Sequence, residues 1–461
     1  MRNTLIFAGS SCPDLAHEIC NHLGMPPAKA DLGQFANGET SVRILTSVRE
    51  KDVFVVQSGS PQINDSIMEL LIMISACKGG SANKITAVVP YFPYSRQSKK
   101  KSQRSAITAR MLANLLNVAG VKHVITVDLH ASQMQGFFKG TVDNLHAEPL
   151  IAHWIRRNIP NWRDGVVVSK NPGGTKRVAS LADALKLNFG IVTTDKRRGR
   201  SMTPSMTGSM IMGPATADIP EVPETLEAAE TVKATSTKKT GATAEVSARV
   251  SAGAKAEATA EDKVQDEDEK VHSQEDVTQG RLVQGHIVDD DFPSPTLSAD
   301  TSQPDVDPMA MSHASSFFAP DASKEEEEVS DEEEETLKNP NIEHMITLVG
   351  DVRNKPVIII DDMIDKPGSW IAAAETVVKR GRANKVYCVA THGVFGGDCL
   401  AQMQACECID KIVVTNSFPI TAEDIRNTPK LVVIDLSLLL AEAIRRNHYG
   451  ESISPLFQQL D

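Results

Sequence analysis

The stretch Lys355–Trp370, KPVIIIDDMIDKPGSW, joins an apolar run, two adjacent acids and a glycine-containing turn. The run from Pro356 to Ile360 predicts a strand that is buried on both faces. A helix that begins after the turn would expose backbone N–H groups beside the carboxylates of Asp361 and Asp362. This arrangement predicts a sugar-phosphate site, in which the acids accept from ribose hydroxyls or reach a metal-bound water. Taken alone, the stretch also fits a strand followed by a helix with an aspartate N-cap.

On both sides of this stretch, short β-branched runs alternate with amphipathic segments of helical length. The predicted strands are Thr4–Phe7, Asp52–Val56, Lys84–Val89, His123–Asp128, a run near Val166, Pro356–Ile360, Lys385–Ala390, Lys411–Val414 and Leu431–Ile434. Predicted helices between them include Ile63–Cys77 and Ala106–Val118. The alternation predicts βαβ units with mostly parallel sheets, divided into two similar α/β domains.

An acidic insert separates the two parts of the second domain. Residues 201–343 carry 32 acidic and 10 basic residues, a net charge of −22, whereas the whole chain carries −12. The remaining residues are therefore basic, which suits ligands that carry phosphates. Because the insert is rich in Thr, Ser, Ala, Pro and acids, we expect it to be disordered. Only Gly285–Asp291 has strand-like character. The predicted domains are 1–147 and 148–198 with 344–461, and the insert is 199–343.

The cysteines and the apolar segments indicate a cytoplasmic protein. The seven cysteines form no C-x-x-C pair, and most lie in apolar stretches, as expected of reduced structural thiols. The most apolar late stretch, Leu431–Ile444, is interrupted by Asp435 and Glu442. We therefore expect no membrane partner.

Two further segments carry candidate ligands. In VDLH, Asp128 and His130 lie on one face at the carboxyl end of a strand, where a carboxylate and an imidazole are placed to hold Mg²⁺ and a triphosphate. His130 is equally compatible with a strand-end histidine bonded to backbone. Arg96 and Gln97 open a basic stretch that, taken alone, is typical of a solvated surface loop. The chain contains no GxxxxGK[ST] motif, so a triphosphate would be held without a Walker loop.

Several segments, in order along the chain, resemble the PRPP synthetase (ribose-phosphate diphosphokinase) family. They are FANGETSVRI from Phe35, INDSIMELL from Ile63, ITAVVPYFPYSRQ from Ile85, VDLHASQMQGFF from Val127, VDNLHAEP from Val142, PGGTKRV from Pro172, TDKRR from Thr194, LVGDV from Leu348, IIIDDMID from Ile358, TNS from Thr415 and AEAIRRNHYGESIS from Ala441. The long insert resembles that of fungal subunits. The resemblance implies two phosphoribosyltransferase-like domains and transfer of diphosphate from MgATP to ribose 5-phosphate, giving PRPP and AMP for nucleotide biosynthesis.

The resemblance also implies roles for individual residues. The residues implied to bind ATP are Arg96 and Gln97, together with Phe35, Asn37 and Glu39 from a neighbouring subunit. Those implied to bind ribose 5-phosphate are Asp361, Asp362, Asp365, Gly368 and Ser369. Those implied to bind Mg²⁺ are Asp128 and His130. The implied catalytic residues are Lys196 and Arg198, which would stabilise the transferring diphosphoryl group. Arg197 is the alternative to Arg198. Ser132 and Gln135 are implied to belong to a regulatory site, although they are equally compatible with helix-cap residues.

Three residues depart from the family pattern: Asn171 stands where an acid is usual, and Lys366 and Pro367 stand in the predicted phosphate loop, Asp365–Ser369. Pro367 removes one backbone donor. An alternative is therefore a weakly active or inactive regulatory subunit of a hetero-oligomer. A PRPP-consuming phosphoribosyltransferase would share IIIDDMID but would not need FANGET or the Arg96–Gln97 pair. The implied partners are ATP, ribose 5-phosphate and other subunits, in a homo-oligomer or hetero-oligomer, with no nucleic acid.

Overall fold

Mostly parallel sheets and the helices that cover them form the described part of the chain. The computed structural model describes residues 1–99, 105–196, 277–289 and 343–457. In chain order the strands are β1 Thr4–Ala8, β2 Ala30–Gln34, β3 Thr40–Ile44, β4 Asp52–Val56, β5 Lys84–Val89, β6 His123–Val127, β7 Thr141–Leu145, β8 Val166–Ser169, β9 Asn188–Lys196, β10 Val277–Val283, β11 His286–Val288, β12 Glu343–Val349, β13 Pro356–Ile364, β14 Lys385–Gly393, β15 Lys411–Thr415 and β16 Leu431–Ile434. The helices are α1 Pro13–His22, α2 Ile63–Gly79, α3 Thr108–Ala119, α4 Glu148–Asn158, α5 Thr175–Leu185, α6 Gly368–Glu375, α7 Cys399–Ala405, α8 Ala422–Asn427 and α9 Ser437–Tyr449.

The first sheet has the strand order β1-β4-β5-β6-β7, and every pair in it is parallel. The second sheet has the order β11-β10-β12-β9-β8-β13-β14-β15-β16. It is parallel from β9 to β16, whereas β12, β10 and β11 are added antiparallel at one edge. Strands β2 and β3 form a separate antiparallel hairpin. The predicted α/β fold with mostly parallel sheets is confirmed.

The sequence pattern explains these elements. The run Val357–Ile360 in β13 is almost completely buried, because β8 and β14 flank it and helices cover both faces. Helix α3 buries Ala109, Leu112 and Leu116, which lie on one side at helical spacing. It ends at Gly120, whose φ of +128° is available to glycine. None of the helices in the described ranges combines the length and apolar character needed to cross a bilayer.

One apolar core contains residues from both sheets. Ile6 of β1, Leu181 of α5, Ile358 of β13 and Leu440 of α9 belong to it and are essentially inaccessible to solvent. The last helix, α9, also packs against α1. The two sheets are therefore held by shared packing, and the carboxyl ends of β6 and β13 lie close to each other. The predicted domain boundaries remain a prediction.

Part of the acidic insert differs from expectation. The expectation that all of residues 199–343 would be disordered is wrong for Val277–Val288, which form the hairpin β10–β11. Apolar side chains explain the difference, because Leu282 is completely buried and Ile287 packs against the same core. Within the described part of Gly285–Asp291, the residues His286–Val288 form β11. Apart from residues 277–289 and Glu343, the insert lies outside the described residues.

Candidate functional site

A cleft of about 540 Å³ lies where the carboxyl ends of the two sheets meet. Seven predicted site residues line it: Arg96, Asp128, His130, Ser132, Asp361, Asp362 and Asp365. Several further residues do so without a predicted role, among them Lys170, Lys176, Arg177, His146 and Thr391. The cleft therefore brings together the groups predicted for the sugar phosphate and for the metal.

The adjacent carboxylates of Asp361 and Asp362 lie within the second half of β13 and are surrounded by cations. Oδ1 of Asp361 is 3.2 Å from Nη1 of Arg177, and Oδ2 is 3.1 Å from Nζ of Lys170. Oδ2 of Asp362 accepts a hydrogen bond from Nδ1 of His130 at 2.5 Å. Nη1 of Arg177 also lies 3.6 Å from Oδ1 of Asp362. One arginine therefore contacts both acids.

The two acids differ in proton affinity. Burial raises the pKa of Asp361, and the charge of Lys170 only partly offsets this effect. Burial also acts on Asp362, but the charge of His130 and its hydrogen bond hold the pKa of Asp362 well below its ordinary value. Burial also tends to lower the pKa of His130, because it disfavours the charged ring. The charge of Asp362 and its hydrogen bond have the larger combined effect, so the pKa of His130 is raised. Such separation of paired groups is typical of functional sites.

Lys170 connects the carboxylates to the phosphate loop. Its Nζ donates to Oγ of Ser369 at 3.2 Å, in addition to its contact with Asp361. It also lies 5.3 Å from the ring centroid of Trp370, at a distance typical of a cation–π contact. Gly368 and Ser369 form the first turn of α6, where backbone N–H groups are available to an anion. An ammonium, a hydroxyl and a helix terminus thus lie together.

The departures from the family pattern have distinct local structures. Oδ1 of Asn171 accepts from the N–H of Gly174 at 3.1 Å and caps the short 3₁₀ turn Pro172–Gly174. An amide oxygen serves this cap without a negative charge. Pro367 precedes the first residue of α6 and adopts a helical conformation that suits its ring. Lys366 lines the cleft.

Asp128 links the two sheets. It follows β6 and is almost completely buried. Its Oδ1 accepts from Nδ1 of His146, while Oδ2 accepts from the N–H of Ala147 and from Oγ1 of Thr391 at 2.6 Å. Burial opposes ionisation, but the hydrogen bond from His146 and the charge of Arg177 lower the pKa of Asp128 to about 2. Both carboxylate oxygens already accept hydrogen bonds from the protein.

Within the described ranges, no group of three or more His, Cys, Asp or Glu side chains is arranged to hold a metal ion. Mg²⁺ is commonly bound by one or two carboxylates together with substrate phosphates. The cleft offers such carboxylates at Asp361 and Asp362. These groups fit a magnesium ion that enters with a nucleotide, and the metal role of Asp128 and His130 remains a prediction.

The predicted ATP residues occupy two places. Nη2 of Arg96 is 2.6 Å from Oδ2 of Asp365, so the basic loop contacts the phosphate loop across the cleft. Gln97 lines a neighbouring cavity with Arg96 and bonds to Thr108. Phe35, Asn37 and Glu39 lie at the exposed tip of the β2–β3 hairpin, outside the lining of the cleft. Phe35 is 58% exposed. Their contact with ATP remains a prediction that requires a neighbouring subunit.

The predicted catalytic and regulatory residues are only partly described. Lys196 is the last residue of β9, and its register partner on β12 is His344. Arg198 and Arg197 lie outside the described residues. Ser132 and Gln135 belong to a 3₁₀ turn after β6, and only Ser132 lines the cleft. These roles remain predictions.

Sequence reasoning missed Lys170, Arg177, His146 and Thr391. Arg177 is within the quoted PGGTKRV segment, yet nothing local predicts that its side chain reaches β13. Lys170 follows β8 directly, so its position at the carboxyl end of a strand was an available signal.

Comparison with known proteins gives a consistent result. The model of the N-terminal domain of ribose phosphate pyrophosphokinase matches residues 4–120, and that of the phosphoribosyl synthetase-associated domain matches residues 308–458. Ribose-phosphate pyrophosphokinase 1 of Saccharomyces cerevisiae is 46% identical over 464 residues, covering 100% of this chain and 99% of that protein. Ribose-phosphate pyrophosphokinase 1 of Schizosaccharomyces pombe is 46% identical over 465 residues, with 100% of both chains covered.

A solved structure agrees with these matches. The crystal structure of phosphoribosylpyrophosphate synthetase from Mycobacterium smegmatis matches with a TM-score of 0.62 and 26% identity, covering 97% of this chain and 100% of that one. The sequence identity to the two yeast proteins over the full chain, the family models and the structural match all indicate the same family. The chain belongs to the ribose-phosphate pyrophosphokinase (PRPP synthetase) family.

Proposed function

We propose that the chain transfers the β,γ-diphosphoryl group of MgATP to the 1-hydroxyl of ribose 5-phosphate, giving PRPP and AMP. The observation that carries this proposal is the pair Asp361–Asp362, which Lys170, Arg177 and His130 surround at the meeting edge of the two sheets. Carboxylates accept from sugar hydroxyls, while the adjacent ammonium and helix terminus suit the 5-phosphate. A sugar phosphate thus finds both kinds of partner within one cleft.

The remaining site residues act in the transfer step. The 1-hydroxyl oxygen of ribose 5-phosphate attacks the β-phosphorus of ATP, the bond between that phosphorus and the oxygen of AMP breaks, and the hydroxyl proton is released. Lys196 and Arg198 neutralise the charge that develops on the transferring group. The backbone N–H groups of Asp365, Gly368 and Ser369, together with the Ser369 hydroxyl, hold the 5-phosphate.

The nucleotide is held on the other side of the cleft. Arg96 and Gln97 contact ATP, and the neighbouring subunit's Phe35, Asn37 and Glu39 complete its site. Asp128 and His130 would hold Mg²⁺ together with the phosphates of ATP, and the bound ion would neutralise charge on the triphosphate. Ser132 and Gln135 belong to a regulatory site.

We further infer an oligomer in the cytoplasm. The exposed β2–β3 hairpin supports the oligomer, because its tip does not line the cleft of its own chain. All seven cysteines are free thiols, which suits a reducing compartment.

The decisive experiment is AMP formation from ATP and ribose 5-phosphate by the purified full chain, with Lys196→Ala as control. We expect activity from the chain alone and a loss of about 10³ in kcat for Lys196→Ala. An inactive chain that raises the activity of an added partner subunit would instead identify a regulatory subunit.

A further inference from the structure

The hairpin β10–β11 lies beside the strand pair that ends at the proposed catalytic lysine. Strand β10 pairs with β12 over seven residues, from Val277 opposite Val349 to Val283 opposite Glu343. On its other side, β12 pairs with β9. The register places Leu282, His344 and Lys196 in one row across the three strands. The hairpin is therefore one strand away from the backbone of Lys196.

The same hairpin is attached to the helix that follows the phosphate loop. The Glu375 carboxylate accepts from the backbone N–H of Ile287 at 2.8 Å and from Nδ1 of His286 at 3.2 Å. Nη2 of Arg380 donates to the carbonyl of Val288 at 2.9 Å. Leu282 is completely buried and belongs to the same apolar core as Trp370 of α6. Both strands of the hairpin thus contact elements of the site.

Local helix geometry explains how Glu375 and Arg380 reach one strand. Residues Thr376–Arg380 continue α6 as a π-helix, whose i→i+5 hydrogen bonds bring residues five apart nearer to the same side of the helix. In an α-helix these two side chains would point in different directions. The π turn therefore aims both side chains at β11. Such turns occur frequently at functional sites.

Burial of the Glu375 carboxylate has a desolvation cost, which its hydrogen bonds to the hairpin help to offset. The residue is 7% exposed, and its carboxylate loses most of its hydration. Besides the hairpin, it contacts Nζ of Lys379, a side chain that is 45% exposed. Without the hairpin, β12 would also present its unpaired backbone groups at the edge of the sheet.

We propose that the hairpin Val277–Val288 positions the strand of Lys196 relative to helix α6, and that Glu375 is the positioning residue that fixes the hairpin. The proposal rests on the function proposed above, because it requires Lys196 to act on the transferring group. The hairpin of the acidic insert then joins the strand of Lys196 to the helix that follows the phosphate loop. Glu375 touches no substrate and acts through β10 and β12.

The test compares Glu375→Ala with Lys379→Ala in the full chain. Lys379→Ala is the matched control, because it removes a contact of Glu375 and leaves the hairpin contacts intact. Hydrogen exchange is followed in peptides from residues 277–289 and 343–349. For Glu375→Ala we expect exchange in these peptides to accelerate about tenfold or more, since a charge-assisted hydrogen bond is lost.

Kinetics supply the second readout. We expect kcat of Glu375→Ala to fall about tenfold, because small displacements of a catalytic group are costly. The KM for ribose 5-phosphate should stay within about twofold of wild type. Glu375→Gln, which keeps an acceptor for Ile287, should restore most of kcat. Should Glu375→Ala fail to fold, Arg380→Met provides the same comparison through Val288.

Three results would overturn the proposal: unchanged exchange in Glu375→Ala, faster exchange with wild-type kcat, or equal losses of kcat and of ribose 5-phosphate binding measured by calorimetry. The last would indicate general damage to α6. A wild-type chain that forms no AMP would remove the proposed function and the positioning role with it. The exchange data would still show whether Glu375 fixes the hairpin, so the two failures are distinguishable.

Discussion

Nδ1 of His130 donates a hydrogen bond to Oδ2 of Asp362 at 2.5 Å and thereby joins residues that are 232 positions apart in the chain. His130 follows β6 of the first sheet, and Asp362 belongs to β13 of the second. The contact is largely shielded from solvent, since the two side chains are 20% and 5% exposed. It connects the group predicted for the metal triphosphate with the group predicted for the sugar.

Replacing His130 by Ala should lower both activity and stability. The change removes the hydrogen bond to Oδ2 of the buried Asp362 carboxylate, which costs about 1–3 kcal/mol of unfolding free energy. Denaturant unfolding and AMP formation measure the two effects. His17→Ala, on the exposed side of α1, serves as control. Equal stability of His130→Ala and wild type would show that the contact contributes nothing.

Arg177→Met should destabilise the site through its two adjacent acids. With the guanidinium gone, Asp361 and Asp362 repel each other, and we expect a loss of about 2 kcal/mol in unfolding free energy. Arg177→Lys should recover part of it, because a single ammonium cannot serve both carboxylates equally. Chemical denaturation tests this, with Arg110→Met on the exposed side of α3 as control. A loss no greater than in the control would contradict the bridging role.

Lys170→Met should weaken the binding of ribose 5-phosphate more than it slows the reaction. The ammonium contacts Asp361 and Ser369, so it lies between the proposed hydroxyl and phosphate sites. Loss of one charge-assisted hydrogen bond corresponds to a rise of about tenfold to 100-fold in KM. Steady-state kinetics with varied ribose 5-phosphate, compared with varied ATP, measures the effect. An equal rise in both KM values would argue against a specific phosphate contact.

Gly396→Ala should disturb the contact between Arg96 and Asp365. A Cβ on Gly396 would lie 2.7 Å from Oδ1 of Asp365, which forces that carboxylate to move. Because Asp365 bonds to Arg96 at 2.6 Å, we expect kcat/KM to fall about tenfold with little change in stability. Gly33→Ala, which meets no atom within 4 Å, is the control. Wild-type kinetics in Gly396→Ala would show that the Arg96–Asp365 contact is dispensable.

Stability should decrease in mild acid because of His392. Burial lowers the pKa of His392, whose ring bonds to Oγ of Ser417 and to the carbonyl of Asp128. The unfolded chain binds a proton at His392 with a pKa of about 6.5, whereas the folded protein binds it less well. The unfolding free energy is therefore highest above about pH 6.5 and decreases as the pH falls below it. We therefore expect wild type to lose more unfolding free energy between pH 8 and about pH 5.5 than His392→Gln. Parallel pH profiles for the two proteins would refute this.

Much of the fold follows from local patterns. The predicted strands Asp52–Val56, Lys84–Val89 and Leu431–Ile434 match β4, β5 and β16 residue for residue, because short β-branched runs between turns have few other stable conformations. The paired acids of β13 were recognisable for a similar reason, since charges directly after a buried run require partners. Within the insert, the strand-like stretch Gly285–Asp291 was recognised, but β10 was missed because acidic and polar residues dominate the composition of that segment.

The sequence alone determined the alternation of strands and helices, the basic character of the chain outside the insert, and the family motifs, because each of these depends on neighbouring residues. Only the tertiary structure decided that Lys170 and Arg177 contact Asp361, that Asp128 bonds to Thr391, and that Glu375 holds an insert hairpin. These contacts join distant segments. Their geometry depends on how the sheets pack, and burial within that packing sets the proton affinities of the acids.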